Sequence, residues 1–107
     1  MDVGEQLQAL ADPTRRAVFD IVRARSSSVG EIADELPISQ PAVSQHLKVL
    51  RDAALVTSTS VGRRHIHRAD PRGIAVLREW INSLWDEPLD AFADAAEAAP
   101  STRRNTP

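Results

Sequence analysis

Pro37 constrains the fold of this chain more than any other residue. Its ring removes a backbone donor and clashes with the preceding helical turn, so a helix breaks there. Before it, Val29, Ile32, Ala33 and Leu36 recur at helical spacing. Ser28 and Glu31 stand three apart at the start of that run, the spacing of a capping box. After it, Ser39 can cap a new helix in which Pro41 occupies the tolerated first turn. Val43, Leu47 and Leu50 then fall within about 60° of one another around a helix. Two short helices must therefore meet at a tight turn, each burying one face.

The flanking sequence supplies the elements that could receive those faces. Val3, Leu7, Leu10 and Ala11 form a helical stripe. Asp12-Pro13 ends that helix and starts a second, which runs to about Arg25 with Val18, Ile21 and Val22 as its inner face and Ala17 beside them. Ser26 to Ser28 is a loop. Leu55–Ser60 and Arg63–Arg68 are short extended runs around Val61-Gly62 and predict a β-hairpin. The side on which Ile66 lies is open at this stage, because Arg64 and Arg68 share its parity whereas His65 and His67 pair with Ala69. Asp70-Pro71 opens a last helix whose stripe of Ile74, Leu77, Ile81, Leu84 and Trp85 continues through Leu89, Phe92, Ala93 and Ala96. Pro88 should kink or interrupt it. The fold class is therefore mainly α with a small two-stranded hairpin, and three helices followed by such a wing is an arrangement that reads DNA. We expect one domain over residues 1–99 and a polar, disordered tail over 100–107.

Bulk properties narrow the function. The 107 residues contain no cysteine, so disulfides, thiolate metal sites and thiol switches are excluded. No apolar run is long enough to span a membrane, and Met1–Asp12 lacks the basic flank of a secretory signal, which together suggest a cytoplasmic protein without membrane contact. The formal net charge of -2 conceals an asymmetry. From Ile38 to Gly73 the bases Lys48, Arg51, Arg63, Arg64, Arg68 and Arg72 face only Asp52 and Asp70. From Ile74 to Ala99, Arg78 is the single base among six acids. Such a split suits a chain that meets a polyanion with its middle and turns its last segment away.

Several motifs then agree with one family. Leu10-Ala11-Asp12-Pro13-Thr14-Arg15-Arg16, Val29-Gly30-Glu31-Ile32-Ala33, the run from Ser39 to Leu50, Gly62-Arg63-Arg64 and Asp70-Pro71 resemble, in unbroken order over residues 5 to 85, the ArsR family of winged helix-turn-helix repressors. The resemblance implies a homodimer joined through the first and last helices. It also implies a fourth helix in the major groove, a wing on the neighbouring backbone or minor groove, and repression, including autorepression, by promoter occupancy. Metal sensors of the family carry a cysteine motif, or histidine and acidic ligands on the last helix. This sequence has no cysteine and no histidine on that helix, so it resembles the metal-free branch, and no cofactor is expected.

Individual side chains give this expectation its content. Ser39, Gln40, Ser44, Gln45 and Lys48 can donate to and accept from base edges, with Arg51 following them as a further cation. His46, at the edge of the apolar stripe, either supports DNA contact or is hydrogen-bonded within the fold. Arg63 and Arg64 at the wing can neutralise phosphate. His65 and His67 share a strand face, but two imidazoles fall short of the four ligands of a closed zinc site. Trp80 and Trp85, with their aliphatic neighbours, could line a ligand pocket, though a subunit interface fits better. The expected interface is Val3, Leu7, Leu10, Leu77, Ile81, Leu84, Trp85 and Leu89. The partners are then duplex DNA, with an inverted-repeat operator, and a second copy of the chain. The alternatives are a winged-helix module that binds protein, or a sensor switched by a ligand or metal. No serine-histidine-acid arrangement or glycine-rich phosphate loop favours an enzyme.

Overall fold

The computed structural model describes residues 1–85. The chain divides into two units, Met1–Leu77 and Arg78–Pro107. The elements run α1 (Val3–Ala11), α2 (Pro13–Ala24), α3 (Val29–Glu35), α4 (Gln40–Asp52), β1 (Val56–Val61), β2 (Arg64–Ala69) and α5 (Pro71–Ser83). The expected domain limit at residue 99, the tail beyond it, Pro88 and Leu89 all lie outside the described residues.

Polar caps set the helix boundaries. The Asp12 carboxylate accepts from the Arg15 amide at 2.8 Å and so starts α2. That residue also closes α1, and two arginines of α2 reach back to its open end. Arg15 Nε donates to the Ala9 carbonyl at 2.6 Å, and Arg16 Nη1 to the Leu10 carbonyl at 2.8 Å. These carbonyls have no partner within their own helix, so the guanidinium groups satisfy them and complement the helix dipole. Both halves of the capping box on α3 form: the Ser28 hydroxyl accepts from Glu31 N at 3.2 Å, and Glu31 Oε1 accepts from Ser28 N at 2.8 Å. Each such cap contributes about 1 kcal/mol.

The core joins α1 to α4 and the base of the wing. It contains Ala9, Val18, Phe19, Val22, Ile32, Val43, Leu47, Leu50, Ala53, Leu55 and Val56. Val18 and Val22 are buried as the periodicity predicts, but Phe19 joins them while Ile21 is only half-buried. The larger aromatic ring takes the deeper place. On α1 the inward residues are Gln6 and Ala9, and Leu7 stays outside.

A tight corner fixes α4 to α5. Leu55 N donates to the Leu50 carbonyl and Ala54 N to the Arg51 carbonyl, both at 2.9 Å. This is the paired bonding of a Schellman ending, with Ala54 at φ 62° in the left-handed place that glycine prefers. Leu50 and Leu55, which such an ending brings together, are both fully buried. Gly73 of α5 lies directly against that turn: a Cβ on it would stand 1.5 Å from the Ala54 carbonyl oxygen. On the same glycine, the carbonyl accepts from Gln6 Nε2 at 2.9 Å, which ties α1 to the start of α5.

The hairpin is one residue later than the sequence pattern suggests. β1 and β2 are antiparallel, with Val61 opposite Arg64, so Gly62-Arg63 is a two-residue turn. Gly62 takes φ 63°, and no residue but Gly62 and Ala54 has positive φ among those described. A glycine in the first place suits the hairpin turn that needs positive φ only there. Ser27 pairs with β2 on the edge away from β1, exchanging two backbone bonds with His67 at 2.9 and 2.8 Å.

Replacing Gly73 by alanine should lower stability by about 1–3 kcal/mol, the range for overpacking, because the obstacle is backbone and cannot swing aside. Urea denaturation reads this as a lower midpoint; an unchanged midpoint would show that the corner opens freely.

Candidate nucleic-acid interface

The helix-turn-helix places one polar stripe in solvent. Val43, Leu47 and Leu50 are held in the core, which fixes the rotation of α4 about its axis. Gln40, Ser44, Lys48 and Arg51, spaced four, four and three apart, therefore line up along its outer side. All four are exposed, as are Ser39 and Gln45. The Ser39 Oγ accepts from Ala42 N at 3.3 Å, leaving its own hydroxyl proton free to donate outward. Gln40 leans over α3, its amide nitrogen 3.7 Å from where a Cβ on Gly30 would stand. His46 is half-buried at the edge of the core stripe.

The wing carries Arg63 at its turn and Arg64 at the start of β2, both exposed. Val61 is exposed beside them, an apolar residue at the tip that sequence periodicity does not single out. His67 and Ala69 face inward and Ile66 is half-buried on the other side, which settles the parity left open above. His65 and His67 do share a face, but only His67 is buried, at 6% exposure. Cross-strand pairing sets Ser58 opposite His67 and Ser60 opposite His65. Among the described residues no group of three or more histidine, cysteine, aspartate and glutamate side chains could hold a metal ion.

Two of the predicted cations already have acidic partners. Lys48 Nζ lies 3.1 Å from Asp52, and Arg64 Nη2 lies 3.4 Å from Glu31. Glu31 also accepts from the Ser28 amide, and this bond above all holds its carboxyl below the ordinary value; desolvation opposes it, and the Ser28 hydroxyl, Arg64 and Arg25 add to the lowering. These pairs are solvent-exposed and contribute little to stability. Their consequence is for charge: the stripe and wing present fewer free cations than the sequence count suggests. Arg51 and Arg63 have no acidic partner among the described residues.

The expected interface residues fall into two groups. Leu10 and Leu77 pack partly against the chain's own core, and Val3 is half-buried. Leu7 is 41% exposed, and in the second unit Ile81, Leu84 and Trp85 are exposed, Trp85 at 66%. Trp80 is exposed as well.

With this geometry in view, the relatives are informative. A family model described as a helix-turn-helix domain matches residues 10–59. An HTH-type transcriptional regulator of Mycobacterium tuberculosis, Rv2034, is 44% identical over 91 residues, covering 85% of each chain. This chain belongs to the ArsR family of winged helix-turn-helix transcriptional regulators. Among solved structures, an ArsR-like transcriptional regulator from Rhodococcus sp. RHA1 is similar with a TM-score of 0.72 and 30% identity, over 88% of this chain and 92% of that one. The homodimeric winged helix-turn-helix DNA-binding domain of Mb0332 from Mycobacterium bovis is similar with a TM-score of 0.64 and 25% identity, over 83% and 82%. The family is one of regulators and not of enzymes.

His67 makes stability depend on pH. Burial first, and then the positive charges of Arg51 and His65, hold its imidazole below the ordinary value near 6.5. In the window just below that value the unfolded chain binds a proton that the folded chain does not, so stability falls as pH falls through it. The urea midpoint should drop between pH 7.5 and pH 5.5, and the drop should shrink in His67→Gln. An equal drop in both proteins would assign the effect elsewhere.

Proposed function

We propose that this ArsR-family chain binds duplex DNA as a homodimer and represses transcription by occupying a promoter whose operator is an inverted repeat. The observation that carries this reading is the exposed polar stripe of α4, whose opposite side is locked in the core. A rigid helix with glutamine, serine and lysine outward can enter a major groove, where glutamine pairs with adenine and serine or lysine serves other base edges. Two-fold symmetry would set two such helices in successive grooves about 34 Å apart. α1 and the last helix would join the copies, through Leu7 and through Ile81, Leu84 and Trp85, each of which leaves apolar surface in solvent. That covering such surface drives association follows from the hydrophobic effect. The similar Mycobacterium bovis domain is itself homodimeric.

The wing arginines would act without regard to sequence, by displacing counterions from phosphate. Arg63 should contribute more than Arg64, because Arg64 must first leave Glu31.

Selection of bound fragments from a genomic library supplies the operator, and four variants then test the parts. Gln45→Ala and Ser44→Ala should weaken operator binding by about 1–3 kcal/mol at a contacted base pair and leave random duplex unaffected. Equal loss on both would reject base reading by α4. Arg63→Ala should reduce the steepness of the log affinity against log salt plot by about one unit; an unaltered slope would remove the wing from the contact surface. Leu84→Glu should sediment as a monomer, and retained dimer mass would refute the assignment of the last helix to the interface.

A further inference from the structure

Between α4, α3 and the wing lies a cleft of about 380 Å³ whose polar lining consists of Ser44, Arg51, Ser58, His65 and His67. Three properties distinguish it. Every polar side chain on it can donate a hydrogen bond, and no carboxylate lines it. Its guanidinium, that of Arg51, has no acidic partner among the described residues, unlike Lys48 and Arg64. His67, a residue 6% exposed, stands in its wall, and its Nδ1 lies beneath the surface with no hydrogen-bond partner among the described residues. The rest of the lining, Val29 and Leu47, gives the cleft an apolar floor that strengthens any charged contact made above it.

We propose that this cleft is an oxyanion seat, in which Arg51 pairs with the charge and Ser58 and His65 donate to its oxygens, with His67 in the wall. The occupant is a phosphate group, supplied either by the duplex backbone as it passes between α4 and the wing, or by a free phosphate ion in its place. The backbone source rests on the reading of the chain as a DNA-binding protein; the free ion does not. Ser58 and His65 become functional residues that the sequence pattern did not assign. Because the seat touches Ser44 and Arg51 on one side and the hairpin on the other, its occupant would hold the wing at a set distance from the reading helix.

The test follows the side-chain nitrogen signals of His65 and His67 in the full-length protein by NMR. Sodium phosphate is titrated against sodium chloride at constant ionic strength, and a short random duplex is added in a parallel arm whose binding is read independently by fluorescence anisotropy. We expect saturable shifts with phosphate and none with chloride, a weakening of phosphate by about tenfold or more in Arg51→Gln, as for loss of a charged hydrogen bond, and a smaller weakening in Ser58→Ala. Shifts with the duplex, reversed by added phosphate, establish the backbone as an occupant. Shifts with the duplex alone restrict the seat to backbone phosphate. Shifts with phosphate while anisotropy reports no duplex binding support the seat and reject the DNA-binding reading. Anisotropy that reports binding while both imidazoles stay silent in both arms overturns the seat and leaves that reading intact. Silence in every arm overturns both. Shifts equal in chloride and phosphate also overturn the proposal, since they report ionic atmosphere only.

Discussion

The burial of Val43, Leu47 and Leu50 governs the rest of the molecule. These three side chains lie in the core at 0–1% exposure, and each contributes about 1.5–3 kcal/mol by leaving water. A helix so anchored cannot roll by even one residue, about 100°, without exposing its leucines, and in one direction the roll also buries Arg51. The outward direction of Ser44, Lys48 and Arg51 is therefore a consequence of the core and needs no contact of its own. α2, α3 and the base of the wing serve this arrangement by supplying the other walls of the core. The Schellman corner at Ala54 serves it too, since it stops α4 where Gly73 of α5 can close against the turn.

Much of this plan was legible in the chain because it is written in local chemistry. Asp12, Ser28 and Ser39 are caps whose meaning depends only on neighbours within four residues, and all three form as the sequence implies. Pro13, Pro37 and Pro41 mark boundaries by their own ring geometry. The turn at Gly62 came within one residue of its place for the same reason. The family resemblance rests on these same local signals, so it and the fold agree without being fully independent.

What stayed hidden depends on residues far apart. Gln6 reads as a polar position on the first helix, yet it is fully buried because the Gly73 carbonyl, sixty-seven residues on, accepts its amide. Ala54 carries no glycine to mark its turn; its left-handed backbone comes with the Leu50–Leu55 ending, against which Gly73 of α5 packs. His65 and His67 look equivalent by alternation, and the burial of one follows from a third segment, Ser27, adding to the ladder beside it. Phe19 displaced Ile21 from the inner face because core depth is decided by the shape of the facing helices, which periodicity does not contain. The cleft was invisible for the same cause: its polar lining comes from three separate elements, α4, β1 and β2.

The distribution of charge carries a further consequence for specificity. A regulator must prefer a few sites over a vast excess of other duplex, and backbone attraction alone favours all of it equally. Two of the cations on the proposed contact face are held by carboxylates, Lys48 by Asp52 and Arg64 by Glu31. Any phosphate that draws them must compete with an acid at about 3 Å and must also approach that acid's own charge. The general attraction is thereby weakened wherever the protein lands. A base edge correctly placed for Ser44 or Gln45 is not subject to that competition, because neither side chain is charged. On the proposed docking, the acids beside α4 and the wing thus weaken backbone attraction to every duplex while leaving the contributions of Ser44 and Gln45 untouched.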